Sequence, residues 1–175
     1  GLFVDTCSMG EMRIALAAGV PGRRLVLHGN NKSDEEIALA IEHDFAKIVI
    51  DEPDEPARIA RIAQRVGKRA RVMLRVTTGI HAGGPEYIST AHEDQKFGVP
   101  LLPANVDKQV FETFNVGESD SLLMDAIRVI ADGPAIGVLK TIRAHDANLE
   151  LVGIHSHIGS QIHDAQAFIE AAIRM

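Results

Sequence analysis

Short apolar runs alternate with longer amphipathic stretches along most of the chain. Leu2-Phe3-Val4, Leu25-Val26-Leu27, Lys47 to Ile50 and Arg71 to Val76 read as strands. The segments between them carry helix signals. Ser8 is placed to N-cap a helix, with Glu11 completing a capping box, and that helix stops at Gly19. Ser33 and Glu36 repeat the box ahead of an apolar face made by Ile37, Ala40 and Ile41. Pro53 and Pro56 fall at or near the start of a third helix, where proline is tolerated, and Ile59, Ile62, Ala63 and Val66 lead on to Gly67. In this reading Asp5 and Thr6 end the first strand, and Asp51 ends the third.

Four strand–helix alternations with short connections, and strands that are apolar throughout, predict an α/β fold with a parallel sheet buried on both faces. A doubly wound sheet and a (β/α)8 barrel both fit. No GxGxxG follows the first strand, which argues against the dinucleotide-binding form of the doubly wound sheet. A full barrel takes about 250 residues, so the 175 residues here supply part of one. The chain opens at Gly1 in an apolar stretch and closes at Met175 inside a helical pattern, so a piece of a longer protein is expected.

The alternation breaks from Thr77 to Gly98. Residues 77–85 are glycine-rich and polar, and residues 90–98 are dense in ionisable groups. Long loops after barrel strands carry function more often than not. Residues 99–148 hold proline and glycine breaks around one expected helix, Ser119 to Ala131. The next strand runs from Leu149 into His155-Ser156-His157-Ile158-Gly159-Ser160-Gln161, and Asp164 is expected to cap a last helix through Ile173. Strand alternation puts His155 and His157 on one face. Gly159-Ser160 offers backbone N–H groups and a hydroxyl, the chemistry that holds a phosphate.

Composition narrows the classes. The chain is 46% hydrophobic and 24% charged, typical of a globular domain. A net charge of -6 argues against a nucleic-acid surface. No apolar run approaches the ~20 residues that cross a bilayer. One cysteine, Cys7, excludes an internal disulfide framework and fits a reducing cytoplasm.

Polar groups fall at every strand's carboxyl end: Asp5, His28 to Asn31, Asp51, Arg75 and His155 to Ser160. In a parallel barrel these ends converge on one face. Asp5 suits a general acid, a ring-nitrogen partner or a solvated helix-start carboxylate. Arg75 lies within an apolar strand and needs an anion, either a structural partner or a bound ligand. Cys7 reads as a small core residue. His155 and His157 also permit a metal-dependent barrel hydrolase, since two histidines on one strand face can bind zinc.

Five phrases carry a family resemblance: Val4-Asp5-Thr6-Cys7-Ser8-Met9-Gly10-Glu11, His28-Gly29-Asn30-Asn31-Lys32-Ser33, Leu74-Arg75-Val76, residues 89–98 (STAHEDQKFG) and Gly153 to Gln161. In this order and spacing the chain resembles the diaminopimelate decarboxylases, and the STAHEDQKFG phrase resembles their actinobacterial branch. The resemblance implies a fold-type III enzyme that uses pyridoxal 5′-phosphate and has a barrel domain of the alanine racemase/decarboxylase type. Its β domain would be absent from this chain. It implies the substrate meso-diaminopimelate, the product L-lysine and a homodimer with shared active sites.

On the same basis His157 would stack on the pyridine ring, and Ser160 with Gly159 would hold the phosphate. Asp5 and Arg75 would lie close to the cofactor, and His28 and Asn30 would line the mouth. The lysine that bonds the cofactor is expected upstream of Gly1, and the glutamate facing the ring nitrogen beyond residue 175. The whole chain would span about strand 2 to helix 6 of the barrel. Between Gly98 and Leu149 it is longer than one helical connection requires by roughly 25 to 30 residues, so an insertion is expected at about 99–148.

Overall fold

The computed structural model describes residues 2–77, 97–101, 103, 127–159 and 165–175. Six strands and five helices are defined among them: β1 (Val4–Thr6), α1 (Met9–Ala17), β2 (Leu25–Leu27), α2 (Asp34–Glu42), β3 (Lys47–Ile50), α3 (Glu55–Val66), β4 (Ala70–Thr77), β5 (Val99–Pro100), α4 (Pro134–Ala144), β6 (Leu149–His155) and α5 (Gln166–Arg174). All pairings are parallel. The order is β1-β2-β3-β4, with β6 along β4 and the two-residue β5 against the carboxyl end of β4.

Which face the helices take settles the architecture. Met12 of α1, Ile37 of α2, Ile59 of α3 and Val138 of α4 all enter one cluster with Leu27, Ile50, Leu74 and Leu149 from the strands. α1 to α4 therefore cover the same side of the sheet. That is a barrel wall; a doubly wound sheet has helices on both sides. The opposite side, carrying Asp5, Val49 and Arg75 by alternation, faces the barrel interior.

The caps follow the sequence in part. Ser33 and Glu36 form the full reciprocal box. At α1 only half of it forms: the Ser8 hydroxyl accepts from the Glu11 N–H, while the Glu11 carboxylate accepts from the Cys7 N–H at 2.6 Å. β1 also differs from expectation. It runs Val4–Thr6, so Asp5 and Thr6 lie within it, and Leu2 and Phe3 precede it, exposed. The Arg24 side chain donates to the Leu2 carbonyl at 3.0 and 2.8 Å, and Thr6 donates its hydroxyl to the Val26 carbonyl at 2.9 Å. Backbone pairing, not apolarity, sets that boundary.

Between β5 and β6 the structure holds a helix the sequence reading passed over. α4 starts with Pro134 in its first turn after Gly133 at the N-cap, and it buries Ala135, Val138 and Ile142. Residues 127–131 are helical, within the segment expected at Ser119 to Ala131, whose earlier part lies outside the described residues. At α5 the N-cap position is Ala165; Asp164, expected there, also lies outside them. Along β6 the pairing with β4 slips by one residue: Val72 lies opposite Leu151 and Met73 opposite Gly153, leaving Val152 as a β-bulge.

Candidate active site

Because the strands are parallel, their carboxyl ends meet at one rim. Asp5 in β1, His28 after β2, Asp51 after β3, Arg75 in β4 and His155 at the end of β6 all stand there. The His28 N–H donates to the Thr6 carbonyl at 2.8 Å, which carries the β1–β2 ladder one residue further. Its ring then lies with Nε2 3.4 Å from Asp5 Oδ1. His155 sits opposite Arg75 in the β4–β6 register, and its ring meets His28 edge-on, with centroids 5.2 Å apart and planes at 66°.

Both imidazoles are held toward the neutral form. Burial lowers the His28 pKa, partly offset by the Asp5 carboxylate. Burial pushes His155 down to about 4, aided by the nearby Arg75 guanidinium and by coupling to the neighbouring imidazoles. The buried Nδ1 of His155 has no hydrogen-bond partner among the described residues.

Asp51 is a buried carboxylate and must be paired. Oδ1 accepts from the Gly98 N–H at 2.6 Å, and Oδ2 faces Arg75 Nη1 at 3.6 Å, an ion pair without a hydrogen bond. The Arg75 guanidinium also lies over the Phe97 ring, 5.0 Å from its centroid. Gly98 makes this possible. Its φ is +85°, and a Cβ there would come within 3.0 Å of Thr77 Oγ1.

Below the rim lies a sealed ion pair. Lys32 Nζ is 2.8 Å from Glu55 Oε1 and 3.1 Å from Oε2, and it also donates to the Gly29 carbonyl. Glu55 Oε2 accepts from the Asp51 N–H at 2.6 Å, and Arg58 donates to the Lys32 carbonyl.

The structure brings Asp5, His28 and Arg75 together at the rim. Asn30 is half-buried in the turn after β2. His157 is exposed beyond the end of β6, so strand alternation does not extend to it. Gly159 is exposed with φ +132°, and Ser160 lies outside the described residues. Cys7 is exposed rather than in the core, and partial burial with Glu11 and Asp5 nearby pushes its thiol pKa up. Sequence reasoning missed Glu55 and the use of Lys32. The only signal was an Asp51–Glu55 spacing that lets a helix-start carboxylate reach back to the strand end.

Among the described residues no group of three His, Cys, Asp or Glu side chains is placed to hold a metal, and His155 turns its ring toward His28. Among them, too, no helix is long and apolar enough to cross a membrane.

The pattern of the family described as "Pyridoxal-dependent decarboxylase, pyridoxal binding domain" matches residues 1–117 and 135–175. The diaminopimelate decarboxylase of Mycobacterium tuberculosis is 38% identical over 175 residues, covering 100% of this chain and 32% of that protein. That of Mycobacterium leprae is 39% identical over 175 residues, covering 100% and 31%. A solved structure of diaminopimelate decarboxylase from Helicobacter pylori, complexed with L-lysine, superposes with a TM-score of 0.65 at 30% identity, over 97% of this chain and 35% of that one. The chain thus spans about a third of the length of the curated relatives it matches. With α1 to α4 on one side of a parallel sheet and its polar groups at one rim, the chain belongs to the pyridoxal-dependent decarboxylases, within their pyridoxal-binding domain.

Proposed function

We propose that the full-length protein containing this chain removes carbon dioxide from the D-centre of meso-2,6-diaminopimelate and yields L-lysine, the last step of lysine biosynthesis. One observation carries this reading. Two carboxylates, a guanidinium and two imidazoles converge at the rim of a chain whose whole length aligns with about a third of a diaminopimelate decarboxylase. In this reading residues 1–175 are part of the cofactor-binding barrel, about strand 2 to helix 6, with an insertion at about 99–148. The protein works in the cytoplasm as a homodimer with shared active sites.

The residues present fit pyridoxal phosphate. The buried Nδ1 of His155, without a hydrogen-bond partner among the described residues, is a polar position at the rim, and Gly159 is exposed with a positive φ that suits backbone N–H contact with an anion. Bound there, the cofactor supplies an electron sink for the pair left behind when carbon dioxide departs. His157 would lie against the ring, and Ser160 with Gly159 would hold the phosphate. Asp5, Arg75, His28 and Asn30 would border the site.

The rim's own groups have distinct tasks. Arg75 is partly neutralised by Asp51, so it orients an anionic group without trapping it. Asp5 faces the His28 ring across 3.4 Å, and the neutral His155 adds a polar edge without adding charge. The test is direct: purified full-length protein, supplied with pyridoxal phosphate and meso-diaminopimelate, is expected to release carbon dioxide and L-lysine in equal amounts. Absence of lysine would sink the substrate assignment.

A further inference from the structure

We propose that Lys32 and Glu55 are positioning residues that lock the two loops bearing the rim groups into one geometry. The inference rests on the functional reading above and deepens it. Lys32 belongs to the turn after β2, the turn that carries His28 and Asn30. Glu55 opens α3, directly after the turn that carries Asp51. The pair joins them across 23 residues of sequence, with side chains only 1% and 4% exposed.

Each atom of the pair is used. The ammonium group has three N–H donors and faces three acceptors: both Glu55 oxygens and the Gly29 carbonyl, one residue from His28 and one from Asn30. Glu55 Oε2 in turn accepts the Asp51 N–H at 2.6 Å and the Glu52 N–H at 3.4 Å. Asp51 then holds Gly98 at 2.6 Å and faces Arg75 at 3.6 Å. A continuous path runs from the backbone beside His28 to the guanidinium on β4. Neither Lys32 nor Glu55 touches the reacting atoms; they act through His28 and Arg75.

A purely stabilising pair and a positioning pair respond differently to replacement as a unit. Two well-packed apolar side chains of similar volume often leave stability unchanged or raised. They cannot hold the Gly29 carbonyl or the Asp51 N–H. The test therefore uses the full-length protein with Lys32→Met and Glu55→Met combined.

The double variant is expected to melt within a few degrees of wild type. Its kcat is expected to fall on the order of 100-fold, the scale of a 1 Å misplacement, with KM changing much less. The His28 ring resonance, followed by NMR in protein without added cofactor, is expected to titrate at a changed midpoint. A native kcat, or a native His28 titration, would overturn the proposal. If the double variant does not fold, Glu55→Gln carries the same readouts: it keeps the volume and removes the charge, and an unchanged His28 titration there overturns the proposal equally. The NMR measurement needs neither substrate nor cofactor. A wild-type protein that makes no lysine therefore refutes the functional reading alone, and a silent His28 refutes the positioning alone.

Discussion

Two acid–base pairs stand at neighbouring strand ends and differ in their access to water. Lys32 and Glu55 meet at 2.8 Å with almost no exposure. Asp5 and His28 meet at 3.4 Å, with the carboxylate 69% exposed and the imidazole 16%. The sealed pair has every donor engaged and no route to re-orient. The open pair has slack, and its imidazole is uncharged once burial has lowered its pKa. Scaffold and working surface thus share the same loops and differ in burial.

The contrast breaks most sharply if one sealed partner is removed. Lys32→Ala leaves a buried carboxylate uncompensated and is expected to cost about 3–5 kcal/mol of folding stability. Denaturant unfolding of the full-length protein measures this, and a loss below about 1 kcal/mol would place the pair in effective contact with water. Gly98→Ala should cost about 1–3 kcal/mol, since a side chain is forced into the left-handed region beside Thr77. The same melt reads it.

The next effect is on pH dependence. His155 is lowered from 6.5 to about 4 in the folded state, so folding favours its neutral form. That stability is fully present above the unfolded pKa of about 6.5. It is lost as pH falls toward the folded value near 4, because the unfolded chain takes up the proton first. The loss should be about 1–2 kcal/mol once the solvent around a half-buried ring is allowed for. Melts at stepped pH should show it in wild type and not in His155→Gln. The smallest change belongs to the open pair. Asp5→Asn should alter stability by less than about 1 kcal/mol, yet it removes the charge that raises His28. The His28 titration midpoint, read by NMR, should then move to lower pH; an upward move would contradict the pairing.

The sequence made some of this visible. The strand–helix alternation, the Ser33–Glu36 box and the polar strand ends are local patterns, and each is realised. The alternation alone did not choose between barrel and doubly wound sheet, because that depends on which side each helix packs; the family resemblance implied the barrel, and the structure bears it out. The Lys32–Glu55 pair was hidden for a similar reason. Only the parallel register of β2 and β3 brings residues 23 positions apart into contact. α4 was obscured by Pro134, which reads as a break in a chain but as a first-turn residue once Gly133 caps the helix. β1 was shifted toward Leu2 and Phe3 because exposed apolar residues look like strand interior when no neighbour is known.

The bulge at Val152 sets the phase of everything after it. Leu149 points into the helix-facing core. An unbroken two-residue alternation from there would send His155 to the same side. One unpaired residue reverses this and leaves His155 beside Arg75 at the rim. Smoothing out the bulge with all residues kept would turn His155 toward the helices, whereas removing Val152 would leave a regular ladder in which Gly153, Ile154 and His155 keep their places opposite Met73, Leu74 and Arg75. The imidazole pair therefore depends on the spare residue of β6 staying out of the ladder, so that this strand can spare Val152 itself but not a slip of its register.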